Sequence, residues 1–234
     1  MTGAADLAAT SARLERATPE ERLAFAVETW SEKLLFTSSF GAGSGVLLHM
    51  WSRVAPRLPV VMIDTGFLFD ETLAYRDALV QRLGLRLEVA RPPVARDDFL
   101  WEHGADVMAR DPDLCCARNK IDALHPWVTR SLAWVSGLRR DQAATRAHVP
   151  ILQATQDGPV RVHPIATMTA AEARAYLEAN DVPEHPLRAR RFLSIGCWPC
   201  TQEAPDQGDE RAGRWTGKAK TECGLHTFLK PRGA

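Results

Sequence analysis

The sequence predicts an α/β fold whose parallel sheet is covered by helices on both faces. Three observations carry that prediction. Short apolar runs such as "KLLFTSS", "LPVVMID" and "SLAWVSG" lack the polar alternation of a half-exposed strand. Helical segments with recognisable start and stop signals separate the runs. Several runs end in glycine-containing turns, at the sheet edge where open α/β folds bind ligands.

In chain order, "ATPEERLAFAVETW" offers Thr18 as N-cap, Pro19 at the first helical position and Glu21 to close a capping box. A helix to about Trp30 follows from that. "KLLFTSS" is a short buried strand, and "VLLHMWSRV" is a helix after a glycine-rich turn. "LPVVMID" is the second strand, ending in "TGFLF". "DETLAYRDALVQRLG" is an amphipathic helix with Gly84 as its stop, and "LRLEVA" is the third strand. "DPDLCCARNKIDALHPWV" reads as a helix from near Asp113 that stops at Pro126. "SLAWVSG" is another buried strand, and "VRVHPI" a later one at the sheet edge. Thr169 and Glu172 repeat the capping box in "TAAEARAYLEAN". After about residue 186 the pattern fades into Arg, Gly, Pro and Cys. The chain thus divides into an N-terminal helical segment (1–32), an α/β domain that also carries the first cysteine pair (33–186) and a C-terminal segment (187–234).

Lys plus Arg and Asp plus Glu both number 29, so the formal net charge is zero. No basic excess exists to neutralise many phosphates, which argues against nucleic acid as a partner. Local clusters remain at Arg188, Arg190 and Arg191 and at Arg139 and Arg140. The N-terminus lacks an apolar signal core and no apolar run approaches the ~18 residues of a membrane span. A cytoplasmic location and no membrane partner are the expectation. In a reducing cytosol five cysteines point to metal or catalysis before disulfide staples.

"FTSSFGAGSGVLL" sets Ser38, Ser39 and Gly41 between a strand and a helix, where backbone N–H groups and a helix N-terminus face an anion. No lysine follows the last glycine, so this is not a P-loop, and a plain tight connection fits the same residues. Asp64 and Thr65 end the second strand. Gly137, Arg139, Arg140 and Arg146 follow "SLAWVSG", and their guanidinium groups suit phosphate or sulfate. A solvated basic loop is the plainer reading of the arginines alone. Three polar loops on one edge favour a nucleotide with several anionic groups.

Cys115 and Cys116 are adjacent, and Cys197 and Cys200 form "CWPC". Adjacent side chains on a helix diverge by roughly 100°. That is awkward for one tetrahedral zinc and suits the separated corners of a Cys₄ iron–sulfur cluster. Zinc and a thioredoxin-like dithiol are the alternatives. The fifth cysteine, Cys223, sits near Lys220, Glu222 and His226. Its thiolate is the reactive form and nearby cations favour it, an idle surface thiol being the bland alternative.

Taken in order, "SSFGAGSGV", "IDTGFLFDET", "DPDLCCARNK", "GLRRDQ", "SIGCWPCT", "DERAGRW" and "KTECGLH" resemble the assimilatory adenylyl-sulfate (APS) reductases of iron–sulfur type, within the phosphoadenylyl-sulfate (PAPS) reductase family. The resemblance runs from about Phe36 to His226. It implies an adenine nucleotide alpha-hydrolase-like (PP-loop-like) domain with a C-terminal catalytic tail. It implies thioredoxin-dependent reduction of adenylyl sulfate to sulfite and AMP, with a glutaredoxin-like protein as the other candidate reductant. The oligomeric state is left open, a homo-oligomer included. On the same resemblance Cys115, Cys116, Cys197 and Cys200 ligate a [4Fe–4S] cluster, and Lys120 lies between cluster and substrate. Ser38, Ser39, Gly41, Asp64, Thr65, Gly137 and Arg146 hold the adenosine and its phosphate. Arg139, Arg140, Arg211, Arg214 and His226 neutralise the phosphosulfate, and Cys223 attacks its sulfur. The chain departs from the family at Gly43, Ser44 and Gly45, where an acidic residue often stands, and at residues 190–192. "GRWTG" also has one tryptophan where relatives often have several. The rival readings are the same reaction on 3′-phosphoadenylyl sulfate, an RNA-thiolating ATP pyrophosphatase whose stricter glycine loop is not met here, and a zinc-binding module.

Overall fold

The computed structural model of the protein describes residues 4–205, 210–218, 220 and 222. Among the described residues six strands form the sheet: β1 (Leu34–Phe36), β2 (Val60–Ile63), β3 (Leu87–Ala90), β4 (Ala133–Val135), β5 (Leu152–Gln153) and β6 (Val160–Val162). A four-stranded portion runs β1-β4-β6-β5, and β2 pairs with β3. A parallel bridge between Thr37 and Val61, with the Ser38 N–H donating to the Val61 carbonyl at 3.0 Å, joins the two portions. The resulting order is β3-β2-β1-β4-β6-β5. Strand pairing is parallel throughout except for β5 on β6.

Burial on both faces explains the unbroken apolar runs. Leu34, Phe36, Val60, Met62, Ala133 and Val135 enter the main core, while the intervening Leu35, Val61 and Trp134 enter a second cluster across the sheet. Side chains alternate between faces, so a strand covered on both sides has no polar position to spare.

The helices are α1 (Ala4–Leu14), α2 (Pro19–Trp30), α3 (Ser44–Val54), α4 (Asp70–Leu83), α5 (Arg96–His103), α6 (Val107–Arg110), α7 (Pro112–Cys116), α8 (Asp122–Thr129) and α9 (Ala170–Ala179). Capping boxes at Thr18 and Thr169 open α2 and α9. Gly84, at φ +61°, closes α4 in the left-handed conformation that glycine adopts without strain. Val46, Leu47, Met50 and Trp51 of α3 pack in the main core, and Leu124 and Val128 of α8 fill the cluster on the opposite face. Among the described residues no helix is long and apolar enough to cross a membrane.

Two expectations are corrected. The helix expected to stop at Pro126 starts at Pro112, passes through a π-helical stretch at Ala117–Ile121 and continues through Pro126 to Thr129. A proline inside a helix costs about 3 kcal/mol. Burying Ala123, Leu124 and Val128 outweighs it, at about 1.5–3 kcal/mol for each large side chain. The "VRVHPI" strand, β6, is not an edge, because the two-residue β5 pairs outside it.

Candidate active site

The loops after β1, β2 and β4 open onto one cleft of about 250 Å³. The first of them turns from Ser38 into α3, whose N-cap is Gly43 and carries no side-chain cap. The first N–H groups of α3 are thereby left for a ligand, where the helix dipole favours an anion. The lining combines Phe36, Val46, Leu47, Ile63, Trp134 and Leu138 with Lys120, Arg139, Arg146, Arg174, Arg188, Arg211 and Arg214. Among the described lining side chains, only Glu184 and Glu210 oppose these cations. Apolar walls and a cationic excess suit a flat heterocycle carrying an anionic chain.

Of the residues singled out in the sequence, Ser38, Ser39, Gly41, Thr65, Lys120, Gly137, Arg139, Arg146, Arg211 and Arg214 come together in this lining. Asp64 and Arg140 do not. Asp64 accepts the Gly66 N–H at 3.1 Å and stands 4.0 Å from Arg91. Arg140 forks onto Glu15 at 2.5 and 3.1 Å and donates to the Val149 carbonyl at 2.8 Å, which ties the Arg-rich loop to the α1–α2 turn. Cys223 and His226 lie outside the described residues.

Neighbours fix the cationic side chains. Arg139 is 3% exposed and bridges Asp141 at 3.0 Å and Glu210 at 2.8 Å. Arg214 donates to the Cys200 carbonyl at 3.0 Å, and its guanidinium lies directly over Gly196. Arg211, Arg214 and Lys220 surround the ring of Trp215 at 5.5, 4.5 and 5.9 Å, a cation–π arrangement. The Trp215 indole N–H is buried without a partner among the described residues. Trp215, Arg174, Glu184 and Glu210 are cleft residues to which no role was assigned from the sequence. "DERAGRW" already contained Glu210 and Trp215, whereas nothing distinguished Arg174 from any other polar residue on the outer face of a helix.

Behind the cleft lies a much smaller chamber bordered by Cys115, Cys116, Cys197 and Cys200 together with Asn119, Lys120 and Thr65. Thr65, Lys120 and Cys197 line both spaces and form the partition between them. Asn119 and Lys120 are carried on the π-helical stretch, which adds a residue to the turn after the cysteine pair. The "CWPC" loop reaches the chamber because the Trp198 N–H donates to the Phe67 carbonyl at 2.8 Å. Thr65 Oγ1 is 3.2 Å from Cys197 Sγ, and Asn119 Nδ2 donates toward Cys115 Sγ at 3.7 Å. None of the four thiols is in a disulfide. Burial pushes Cys115 up to about 11, the nearby Cys197 and Cys200 adding to the effect and Lys120 opposing it. Cys200 is raised as well, first by burial. Among the described residues no group of three or more His, Cys, Asp or Glu side chains is arranged to hold a metal ion.

The chain is similar to known proteins over most of its length. An adenosine 5′-phosphosulfate reductase of Chelativorans sp. is 46% identical over 81% of this chain and 77% of its own length. A phosphoadenosine 5′-phosphosulfate reductase of Gloeobacter violaceus is 42% identical over 89% of this chain and 88% of its own. The fold matches a solved phosphoadenylyl-sulfate reductase from Candida auris with a TM-score of 0.74 at 24% identity, covering 85% of this chain and 97% of that one. Residues 33–203 match the model of the phosphoadenosine phosphosulfate reductase domain, and with these cleft and chamber residues in place the chain belongs to that family.

Proposed function

We propose that the protein reduces adenylyl sulfate to sulfite and AMP with electrons from a thioredoxin-like dithiol. The observation that carries this reading is the shared partition: a cleft for an anionic nucleotide backs directly onto a chamber of four cysteines. The apolar walls take adenine, while the α3 N-terminus and the arginines take the phosphosulfate.

In the first step the Cys223 thiolate attacks the terminal sulfur, the sulfur–oxygen bond breaks, and AMP leaves with the electron pair. Arg211 and Arg214 offset the charge that develops on the leaving phosphate. The product is S-sulfocysteine. A thioredoxin thiolate then attacks the Cys223 sulfur and expels sulfite, and the second thiol resolves the mixed disulfide. The dithiol is oxidised to a disulfide, which supplies the two electrons that reduce the sulfonate to sulfite.

Although the described side chains are not arranged as a metal site, the chemistry of the chamber's donor set supports a [4Fe–4S] cluster: four soft sulfur donors from two separate segments, with Thr65 and Asn119 within reach of Cys197 and Cys115 sulfur. Cys115, Cys116, Cys197 and Cys200 would hold the group, and it would supply charge near Lys120 and not electrons, because the dithiol already delivers both. Lys120, which lines both spaces, would then stand between that charge and the anionic substrate.

Replacing Cys223 by Ser tests the reading. The variant is expected to retain the visible iron–sulfur absorption and to release no sulfite. Sulfite release at the wild-type rate, or loss of the absorption, overturns it. The 3′-phosphorylated nucleotide is the second candidate, favoured by the 42% identity to the Gloeobacter enzyme. Parallel rates with both nucleotides decide between the two, and the proposal requires faster turnover of adenylyl sulfate.

A further inference from the structure

The chain leading to Cys223 is tied down by three side chains at alternate positions. Lys218 donates to the carbonyls of Met108 and Ala109 at 3.1 and 2.8 Å, at the end of α6. Lys220 pairs with the Asp113 carboxylate and donates to the Pro112 carbonyl at 3.3 Å, at the start of the cysteine-bearing α7. Glu222 is the last of the three and crosses to the Arg-rich loop. Its carboxylate accepts from Arg146 Nε at 2.8 Å, from Arg146 Nη2 at 2.7 Å and from Arg211 Nη2 at 3.2 Å. Thr145 Oγ1 adds a weaker contact at 3.4 Å.

These groups are largely removed from water: the side chains of Glu222, Arg146 and Arg211 are 15%, 7% and 14% exposed. A two-point guanidinium–carboxylate pair at this burial is stiff and direction-specific. Arg146 is thereby committed. Its Nε and Nη2 carry Glu222, and its Nη1 donates to Gln142 Oε1 at 2.6 Å. A phosphate ligand would present that fork to the cleft instead. Cys223 follows Glu222 by one peptide bond.

We propose that Glu222 is a positioning residue: gripped by Arg146 and Arg211, it sets where the chain delivers Cys223, so that Arg146 acts on the reaction through the nucleophile and not as a ligand of the substrate phosphate. The inference rests on Cys223 being the nucleophile. The grip also neutralises one of the two guanidinium charges, leaving a net positive site for the incoming anion. A reacting group misplaced by about 1 Å loses on the order of a hundredfold in rate.

The test uses the cluster-loaded enzyme. AMP affinity is measured by calorimetry, and the first-order rate of Cys223 sulfonation at saturating adenylyl sulfate by rapid-quench mass spectrometry. Wild type, Glu222→Gln, Arg146→Gln and the swapped pair Glu222→Arg/Arg146→Glu are compared, each with its visible spectrum as a check on folding. Both single variants are expected to lose on the order of a hundredfold in sulfonation rate while AMP affinity changes by less than about threefold, and the swap to recover at least about tenfold. An unchanged sulfonation rate in Glu222→Gln, a tenfold or larger loss of AMP affinity in Arg146→Gln, or a swap without recovery overturns the proposal. Should a variant lose its spectrum, Glu222→Asp keeps the charge and shortens the reach, and is held to the same pair of criteria. Failure of the underlying reading looks different, since wild-type protein would then carry no sulfonate on Cys223 at all.

Discussion

At Gly196 a methyl group would stand 2.5 to 2.8 Å from three atoms of the Arg214 guanidinium, closer than such atoms approach. The bare backbone lets the arginine lie flat beside the "CWPC" turn while its Nε holds the Cys200 carbonyl. Gly196→Ala is expected to push the guanidinium out of the cleft and raise the KM for adenylyl sulfate about tenfold, the order of one charge-assisted contact. An unchanged KM with unchanged spectrum contradicts that role. Much of the site was legible at this scale, because serines, glycines and arginines at strand ends declare their chemistry locally. Arg140 was not. Its partner Glu15 lies 125 residues away, and no local signal separates a paired arginine from one facing the cleft. The grip of Arg146 on Glu222, 76 residues apart, escaped the sequence for the same reason.

Among the elements, the short 3₁₀ turn Pro186–Arg190 beside the cleft is started by a buried histidine. The Leu187 N–H donates to His185 Nδ1 at 3.2 Å, so the ring proton sits on Nε2, 3.0 Å from Thr72 Oγ1. Burial pushes the pKa of His185 down to about 4, against a smaller upward pull from Glu71. An unfolded histidine titrates near 6.5. Between pH 6.5 and 4 the unfolded chain therefore binds a proton that the folded one refuses, and stability falls as pH falls through that window. The full effect below pH 4 is about 3 kcal/mol. Urea midpoints at pH 7 and pH 4.5 should show the drop in wild type and a smaller one in His185→Gln. Equal drops in the two proteins would assign the sensitivity elsewhere, His49 being the next candidate since burial also lowers its pKa. Both capping boxes and the Gly84 stop were readable from neighbours in sequence. The run through Pro126 was not, because sheet burial of Leu124 and Val128 decides it. Nor was β5, since two residues carry no period.

On the scale of the whole molecule, a chain of zero net charge concentrates positive groups where three loops and the C-terminal segment meet. Nucleotide binding should therefore weaken with salt although the chain as a whole carries no net charge. AMP affinity measured by calorimetry is expected to fall about threefold or more between about 0.05 and 0.5 M sodium chloride. No change would mean that the arginines are spent on internal partners alone. The same architecture gathers four cysteines around one small chamber, held by α7 and the "CWPC" turn, while the fifth, Cys223, belongs to neither element. Intact-protein and peptide mass spectrometry after addition of adenylyl sulfate without any reductant tests that separation most directly. The account predicts one sulfonate per chain, on Cys223, with one AMP released. A sulfonate on any of Cys115, Cys116, Cys197 or Cys200, or AMP released with no sulfonated cysteine, would contradict it.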